Sequence, residues 1–322
     1  MKACVYHRYG GPEVVEVRDV PTPVPAPGEV LVRIIAATVS AADWRVRSLV
    51  MPRGFGPVAR LALGLTGPRQ PILGGDFAGV VAGVGAGVTR FALGDAVFGF
   101  PGARFGCHAE YRVVPEAWPV VLKPANLDFD AAASLPFGAT TALHYLRKAA
   151  VRPGDRVLVV GASGAVGTAL VQLARHFGAE VTGVASAANL ELVASLGARH
   201  LIDYRQTDVT TGAESYDIIA DTVGATSFAR YRRILRSNGR LLGIAASLPG
   251  MLAAVWAPLY GRRVIVGPAP ERLDDLREIA ALAEQGVLRP VIDRHYAMAD
   301  IAAAHAYVAT GRKRGSVVLR IV

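Results

Sequence analysis

Hydrophobic and polar positions follow two different periods along the chain. In roughly the first 120 residues, short apolar runs lie between glycines and prolines, which predicts strands over residues 14–17, 30–35, 76–84 and 95–100. The proline-rich link 21–27 separates the first two of these strands. Closely spaced strands with glycine at the corners are typical of a small β-barrel or sandwich.

From residue 124 onward, helices appear and then alternate with strands. Two helices are predicted over residues 128–135 and 140–149. The strands predicted after them are 156–160, 180–185, 200–203, 216–221 and 240–244, and the helices are 165–177, 189–196 and 227–235. Such alternation is typical of a parallel sheet with helices on both faces, so we expect a doubly wound α/β fold.

The last segment turns back to a strand pattern at residue 287, with a helix over 300–309 and a strand over 316–322. It is too short to be a domain, and we expect it to rejoin the first part of the chain. The predicted division is therefore a first domain over residues 1–123, a dinucleotide-binding domain over 124–286 and a returning tail over 287–322.

The most informative motif is a glycine-rich turn between a predicted strand and a predicted amphipathic helix, with the sequence VLVVGASGAVG over residues 157–167. Glycine lets the backbone approach a pyrophosphate closely, and the following helix directs free N–H groups and a partial positive charge at that anion. The residues predicted to bind the pyrophosphate are Gly161, Ser163, Gly164, Ala165, Val166 and Gly167. The alternative is an ordinary strand-to-helix turn.

Composition narrows the class of protein. The chain of 322 residues is 52% hydrophobic and 19% charged, which is typical of a packed globular protein. Its net charge is +9, but the arginines are scattered, so we expect no nucleic-acid partner. No signal peptide or bilayer-crossing segment is visible, which predicts a cytoplasmic protein without a membrane partner. Cys4 and Cys107 form no CxxC motif, so a thiolate-built zinc site lacks ligands.

Several stretches taken together resemble the zinc-free medium-chain dehydrogenase/reductase family, in its quinone oxidoreductase (ζ-crystallin-like) and enone/enoyl reductase branch. They are residues 10–13 (GGPE), 27–33 (PGEVLVR), 75–81 (GDFAGVV), 91–99 (FALGDAVFG), 161–167 (GASGAVG), 221–224 (DTVG) and 310–315 (TGRKRG). The resemblance implies a GroES-like β-barrel catalytic domain and a Rossmann cofactor domain, with the active site in the cleft between them.

The zinc-dependent relatives of that family carry a cysteine in the segment that here reads TVSAAD, residues 38–43, and His-Glu near Asp76-Phe77. Neither ligand is present, so we expect no zinc. Without a Lewis acid, alcohol oxidation loses its main driving force, whereas reduction of a polarised acceptor needs only orientation and stabilisation of the developing negative charge.

The end of the second strand of the nucleotide-binding unit bears on the choice of cofactor. It reads Val-Ala-Ser, ending in Ser186 without the acid that binds the ribose of NADH, and this favours NADPH over NADH. Related reductases carry Lys or Arg at Ala188 or Asn189, and Tyr204 matches a family tyrosine near the 2′-phosphate. Arg205 is a candidate for the missing charge, with a solvated loop residue as the alternative.

Two further cofactor residues follow from the resemblance. Thr141 matches a threonine that lies near the nicotinamide, although a buried helical threonine bonded to its own backbone is the alternative. Gly224, after the fourth strand of the nucleotide-binding unit, is expected to let the nicotinamide ribose approach.

The substrate side is predicted from Asp43-Trp44-Arg45, which resembles an Asp-Trp-Lys segment of some enone reductases. Asp43 and Arg45 are the catalytic candidates: Arg45 would polarise the substrate carbonyl while the proton comes from water, because arginine does not deprotonate. A surface salt bridge between the two is the alternative. Trp44, Met251 and Trp256 are expected to line the substrate pocket, or else to belong to the core or to a dimer surface.

The leading hypothesis is an NADPH-dependent, metal-free reductase of quinones or α,β-unsaturated carbonyl compounds that acts as a homodimer on a small-molecule substrate. One alternative is a pathway-specific tailoring enzyme with other chemistry or no redox chemistry. Another is an NADPH-binding interaction protein, of the kind among ζ-crystallin relatives that bind RNA.

Overall fold

The computed structural model describes every residue from 1 to 322. Its strands are β1 (Lys2–Val5), β2 (Glu16–Asp19), β3 (Glu29–Val39), β4 (Phe77–Val84), β5 (Ala96–Gly99), β6 (Tyr111–Pro115), β7 (Val120–Leu122), β8 (Arg156–Val160), β9 (Glu180–Ala185), β10 (His200–Asp203), β11 (Tyr216–Asp221), β12 (Leu235–Gly243), β13 (Arg263–Val266), β14 (Ile292–Ala297) and β15 (Ser316–Arg320). Its helices are α1 (Ala41–Ser48), α2 (Gly56–Leu63), α3 (Phe129–Ala133), α4 (Pro136–Ala149), α5 (Ala165–His176), α6 (Ala187–Ser195), α7 (Phe228–Tyr231), α8 (Leu248–Trp256), α9 (Leu273–Glu284) and α10 (Ile301–Ala309). None of them combines the length and the apolar character that a bilayer crossing requires.

The first sheet is built on β3 and contains strands from both ends of the chain. Its order is β14-β15-β3-β4-β5-β7, with β6 also paired to β3. Side chains along β3 alternate between buried and partly buried positions, as expected where one face of a sheet covers a core. Ile34, Phe77 and Leu319 lie in that core. The C-terminal strand β15 runs antiparallel to β3, so the tail completes the sheet that the N-terminal part begins.

The second sheet is parallel, with the order β10-β9-β8-β11-β12-β13, which confirms the predicted doubly wound fold. Its central strands β8, β9 and β11 are buried on both faces. Val157 and Val159 of β8 belong to one apolar cluster, and Leu158 belongs to another. The strand order reverses between β8 and β11, and ligands of open α/β sheets bind at such a switch point, beyond the carboxyl ends of the strands.

Contacts between the C-terminal tail and the second domain form a seam that joins the two sheets at this switch point. The Gly315 amide donates to the Ser163 carbonyl at 2.7 Å, and Gly164 and Gly315 form an isolated parallel bridge. Deeper in the seam, the Gln172 side chain donates to the Arg289 carbonyl at 3.1 Å and accepts from the Arg289 amide at 2.8 Å. The tail is therefore fixed against the glycine-rich turn.

Candidate functional site

The three glycines of the turn serve different purposes. Gly161 has φ +78°, and a side chain there would overlap Thr222. A side chain at Gly167 would overlap the Gly161 carbonyl, so this residue lets α5 pack against the turn. Gly164 has an ordinary φ of −79°, and the nearest atom to a Cβ there is the Gly161 carbonyl oxygen at 3.6 Å. Only Gly164 borders open space.

The first turn of α5 fits an anion. Gly164 is its N-cap and provides no side-chain acceptor for the N–H groups of Ala165, Val166 and Gly167. Ser163 precedes the cap, and its hydroxyl accepts from the Asn189 side chain at 3.2 Å. The open face at Gly164 and the uncapped helix together fit a dinucleotide pyrophosphate.

The residues predicted to face the ribose phosphate gather at the carboxyl ends of β9 and β10. Ser186 is the N-cap residue of α6, and its hydroxyl makes no capping hydrogen bond. The Tyr204 amide donates to the Ala185 carbonyl at 3.2 Å, which brings the loop after β10 to the end of β9. The Arg205 guanidinium carbon lies 5.9 Å from the centre of the Tyr204 ring, and Arg205 is exposed. The Asp203 carboxylate lies at this corner, where its Oδ1 accepts from the Arg205 amide at 3.0 Å, but it forms no ion pair with the Arg205 guanidinium.

Thr141 and Gly224 are held by local contacts. The Thr141 hydroxyl donates to the Phe137 carbonyl at 2.7 Å, which is the backbone-bonded alternative considered for this residue. Gly224 has φ +72°, and its amide donates to Asp221 Oδ1 at 2.8 Å. Asp221 therefore shapes the loop that follows β11 beside the turn.

Asp43 is fully buried, and its contacts give it a structural role, while its catalytic role stays a prediction. Its Oδ2 accepts from the Ser40 amide at 2.7 Å and the Ser40 hydroxyl at 2.6 Å, in a capping box that starts α1. Its Oδ1 accepts from the Gly74 amide at 2.8 Å. Asp43 fixes α1 to the segment before β4, and its burial contradicts the alternative of a surface salt bridge to Arg45.

Arg45 stands two residues further along α1, roughly 200° around the helix from Asp43. It is half-buried, and its guanidinium has neither a hydrogen-bond partner nor an ion-pair partner. Burial lowers the pKa of Arg45 below its usual range. An unpaired, partly desolvated cation of this kind can stabilise negative charge on an oxygen atom of a ligand.

The three residues predicted to line the substrate pocket lie on α1 and α8. Trp44 packs against the core of the first sheet. Met251 and Trp256 lie on α8, where Trp256 is 59% exposed. The start of α8 touches the first domain, because the Leu248 amide donates to the Arg53 carbonyl at 2.9 Å. Within one chain, Trp256 is a surface residue, and the substrate pocket stays a prediction.

A buried polar cluster that the sequence prediction did not include lies at the start of β4. Asp76 is 2% exposed, and its Oδ1 accepts from the Thr38 amide at 3.0 Å and the Thr38 hydroxyl at 2.7 Å. Desolvation raises the pKa of Asp76 to about 8. The His108 Nε2 lies 2.9 Å from the Thr38 carbonyl oxygen. Asp76 stands in one of the motif stretches, residues 75–81, and that was its only signal in the sequence.

Comparison with known proteins identifies the family. The "Alcohol dehydrogenase GroES-like domain" matches residues 26–125, and "Zinc-binding dehydrogenase" matches residues 196–319. The chain is 34% identical to the 2-methylene-furan-3-one reductase of Solanum lycopersicum, over 99% of this chain and 79% of the relative. It is 31% identical to a quinone oxidoreductase of Pseudomonas aeruginosa, over 99% of each chain. The chain belongs to the medium-chain dehydrogenase/reductase family.

A solved structure supports the same assignment for the whole medium-chain dehydrogenase/reductase fold. The quinone oxidoreductase from Coxiella burnetii matches with a TM-score of 0.89 at 28% identity, over 100% of this chain and 99% of the other. The expected GroES-like domain and Rossmann domain are thereby confirmed. The protein is an oxidoreductase of this family, and its glycine-rich turn fits a nicotinamide dinucleotide.

Zinc is a separate question, because the family includes zinc-dependent members and one matching description names zinc. Residues 38–43 and Asp76 offer oxygen atoms, and both oxygens of Asp43 are already engaged. Burial raises the pKa of the Cys4 and Cys107 thiols to about 12, which disfavours the thiolates that zinc prefers. No three His, Cys, Asp or Glu side chains converge on one point. The residues present do not fit a zinc centre.

Proposed function

We propose that this protein is an NADPH-dependent reductase that transfers a hydride directly to a quinone or an α,β-unsaturated carbonyl compound, without a metal. The observation that carries the proposal is the open, uncapped turn at Gly164, placed at the switch point of the second sheet and against the first domain. The names of the relatives, a 2-methylene-furan-3-one reductase and a quinone oxidoreductase, support the same class of acceptor.

The preference for NADPH rests on the corner formed by Ser186, Tyr204 and Arg205. A carboxylate at the end of β9 would repel a 2′-phosphate, and the residue there is Ser186. An exposed, unpaired guanidinium beside it offers a charge-assisted contact to that phosphate. One relative, an alkenal/one oxidoreductase of Arabidopsis thaliana, is named as NADPH-dependent.

In the proposed reaction, the residues of this chain orient the substrate and stabilise the negative charge that develops on it. NADPH supplies the hydride when bound. As the hydride adds to the β-carbon of an enone, the electron pair of the double bond moves towards the carbonyl oxygen, where Arg45 stabilises the developing charge. Arginine keeps its proton at neutral pH, so water provides the proton that completes the reduction at the α-carbon.

A homodimer is part of the proposal. The edge strand β13 leaves one side of the second sheet unpaired, and the neighbouring α8 exposes apolar side chains. They are Leu252 at 55%, Val255 at 66% and Trp256 at 59% exposure. A two-fold contact through this region would cover both features. Cytoplasmic location stays a prediction, because relatives named as chloroplastic and mitochondrial place the family in several compartments.

The test measures oxidation of NADPH or NADH by the loss of absorbance at about 340 nm, where the reduced nicotinamide absorbs. The acceptors are a benzoquinone, a naphthoquinone, an enone and an enal. A simple alcohol with NADP⁺ serves as the control for zinc-type alcohol oxidation. We expect acceptor-dependent loss of NADPH and no alcohol oxidation. NADPH binding without turnover of any acceptor would instead favour a cofactor-binding interaction protein.

A further inference from the structure

Acidic residues are missing from two long segments of the chain. Residues 44–75 and 222–270 contain twelve arginines and no Asp or Glu. Because the whole chain has 35 basic and 26 acidic residues, its net charge of +9 comes entirely from these two segments. They contact each other where the Leu248 amide donates to the Arg53 carbonyl at 2.9 Å. The arginines are scattered along the sequence, but the positive charge that acids do not balance is concentrated in these two neighbouring segments.

The exposed part of the first segment is the helix α2 with the residues around it. We define the α2 surface by three exposed aliphatic and three exposed basic residues, which are Val58, Leu61, Leu65, Arg53, Arg60 and Arg69. The aliphatic side chains are 63%, 62% and 61% exposed, and no residue of α2 is buried. The three guanidinium groups form no ion pair, and Arg60 donates only to the Leu65 carbonyl, at 3.1 Å.

The segment that carries the α2 surface is held in place at its base. The Tyr9 hydroxyl donates to the Gly64 carbonyl at 3.0 Å, and the Arg69 amide donates to the Leu63 carbonyl at 2.8 Å. Gly64 has φ +131°, and a side chain there would overlap the Gly67 carbonyl. The fold therefore keeps these aliphatic side chains in solvent, and an exposed apolar patch of this kind marks an interaction site.

We propose that the α2 surface docks the protein onto a membrane surface that contains anionic lipids. Leucine and valine side chains gain free energy where head groups meet acyl chains, and arginine binds the phosphate groups of the lipids. A helix in this position lies in the interface and does not cross the bilayer. The expectation of no membrane partner rested on the lack of a crossing segment, and this proposal replaces it. The inference goes beyond the proposed reductase function and does not depend on it.

Charge and chemistry favour a lipid surface over other occupants. Two copies of the α2 surface facing each other would bring arginines against arginines, with no acidic residue in either segment to separate them. A nucleic acid would bind the arginines but leave Val58, Leu61 and Leu65 without apolar contacts. An anionic bilayer offers phosphate groups and hydrocarbon together, and these are the two partners that the α2 surface lacks. The proposed dimer contact is centred on β13 and α8 and does not require α2.

The experiment measures binding of the purified full chain, without nucleotide, to lipid vesicles that are then sedimented. One set of vesicles is phosphatidylcholine alone and the other contains about 30% phosphatidylglycerol, each at about 50 mM and about 500 mM salt. We expect binding to the anionic vesicles at the lower salt, and binding weaker by about tenfold or more to neutral vesicles or at the higher salt. Lack of binding to anionic vesicles, or equal binding to both sets, would overturn the proposal.

A matched pair of leucine variants tests the apolar half of the α2 surface. Leu61→Gln should weaken binding to the anionic vesicles about tenfold, because a side chain that enters the bilayer becomes polar. Leu93→Gln changes a leucine that is 71% exposed on the loop before β5, and it should bind like the wild type. Unchanged binding of Leu61→Gln would place the contact elsewhere and contradict the proposal.

Two triple variants with the same net charge test the basic half. Replacement of Arg53, Arg60 and Arg69 by glutamine should weaken binding to the anionic vesicles about a hundredfold. The matched control replaces three exposed arginines outside the α2 surface by glutamine, which are Arg18, Arg199 and Arg277. It should retain most of the binding. Equal losses in the two triple variants would show that binding follows net charge alone, and the assignment to α2 would be wrong.

Thermal melting separates a folding defect from a binding defect. All the replaced side chains are exposed, so we expect the variants to melt like the wild type. If Leu61→Gln melts early, the two arginine variants carry the test. Salt-sensitive retention on RNA together with no binding to vesicles would assign the surface to a nucleic acid and overturn the proposal.

Discussion

Polar groups are arranged in opposite ways in the two domains. At the carboxyl ends of the parallel strands, the Ser186 hydroxyl, the Arg205 guanidinium and the first turn of α5 have no partner that caps or neutralises them. In the first domain, Asp43 is buried and both of its carboxylate oxygens accept hydrogen bonds. Asp76 is also buried and accepts hydrogen bonds from the Thr38 amide and hydroxyl. The first arrangement is complementary to a ligand, whereas the second holds loops together. Substitutions should therefore change binding in one domain and stability in the other.

The largest effect is expected at Gly164. In Gly164→Val, the new side chain enters open space that a pyrophosphate would occupy, and we expect NADPH affinity to fall by roughly a thousandfold or more. Stability should change little, because the nearest atom to the Cβ is 3.6 Å away. Nucleotide titration and urea unfolding measure the two quantities. Gly167→Val is the matched contrast, since its side chain would overlap the Gly161 carbonyl and should destabilise the apoprotein. Unchanged NADPH affinity in Gly164→Val would refute the assignment of the turn.

The opposite result is expected at Asp43. Asp43→Ala leaves the Ser40 and Gly74 amides without their acceptor in a buried site, and we expect the free energy of unfolding to fall by about 3 kcal/mol. Urea unfolding without nucleotide measures this loss. NADPH affinity of the folded fraction should stay near the wild-type value. A stable variant with strongly reduced kcat would instead place Asp43 among the catalytic residues.

Arg45 tests whether the first domain also contains a group that acts on the substrate. We expect Arg45→Ala to lower kcat by roughly tenfold to a hundredfold. The variant loses a positive charge that stabilises the negative charge developing on the substrate oxygen in the transition state. NADPH affinity should change less than kcat. Arg45→Lys keeps the charge and should recover part of the rate. Equal losses in kcat and in NADPH affinity would mean that Arg45 serves the cofactor.

The smallest effect is expected at Arg205, since its guanidinium is exposed and screened by salt. Arg205→Ala should weaken NADPH by about fivefold, or roughly 1 kcal/mol, and leave NADH unchanged. The ratio of the two dissociation constants at low salt is the measurement. A parallel loss for both nucleotides would place Arg205 away from the 2′-phosphate.

The sequence predicts the second sheet closely because its central strands are buried on both faces and appear as continuous apolar runs. Predicted strands 156–160, 180–185, 200–203 and 216–221 coincide with β8, β9, β10 and β11. The predicted helix 227–235 is only the short α7, because the chain turns over residues 232–234 and enters β12 at Leu235. The type of an element could be predicted where the hydrophobic period and the length of the segment agreed. The prediction was less accurate where only a few residues link two strands.

Prediction of the site residues from the sequence is limited in the same way. The turn residues, Ser186 and Arg205 lie within about 45 residues of one another, in a unit whose geometry is regular. Gly315 meets the turn only through long-range pairing of β15 with β3, which no local pattern records. The pocket expected from Trp44 and Trp256 stays a prediction for a similar reason, since bulky side chains do not indicate which surface they will cover.

Pairing of the tail has a consequence for how the chain is made. Residues 317–320 pair with residues 36–39, so β3 pairs with a strand that is synthesised after every strand of the second sheet. The second sheet draws all its strands from residues 156–266 and can be completed while synthesis continues. We expect the second sheet to fold before the first is complete, because the edge of β3 stays unpaired until β15 has been synthesised.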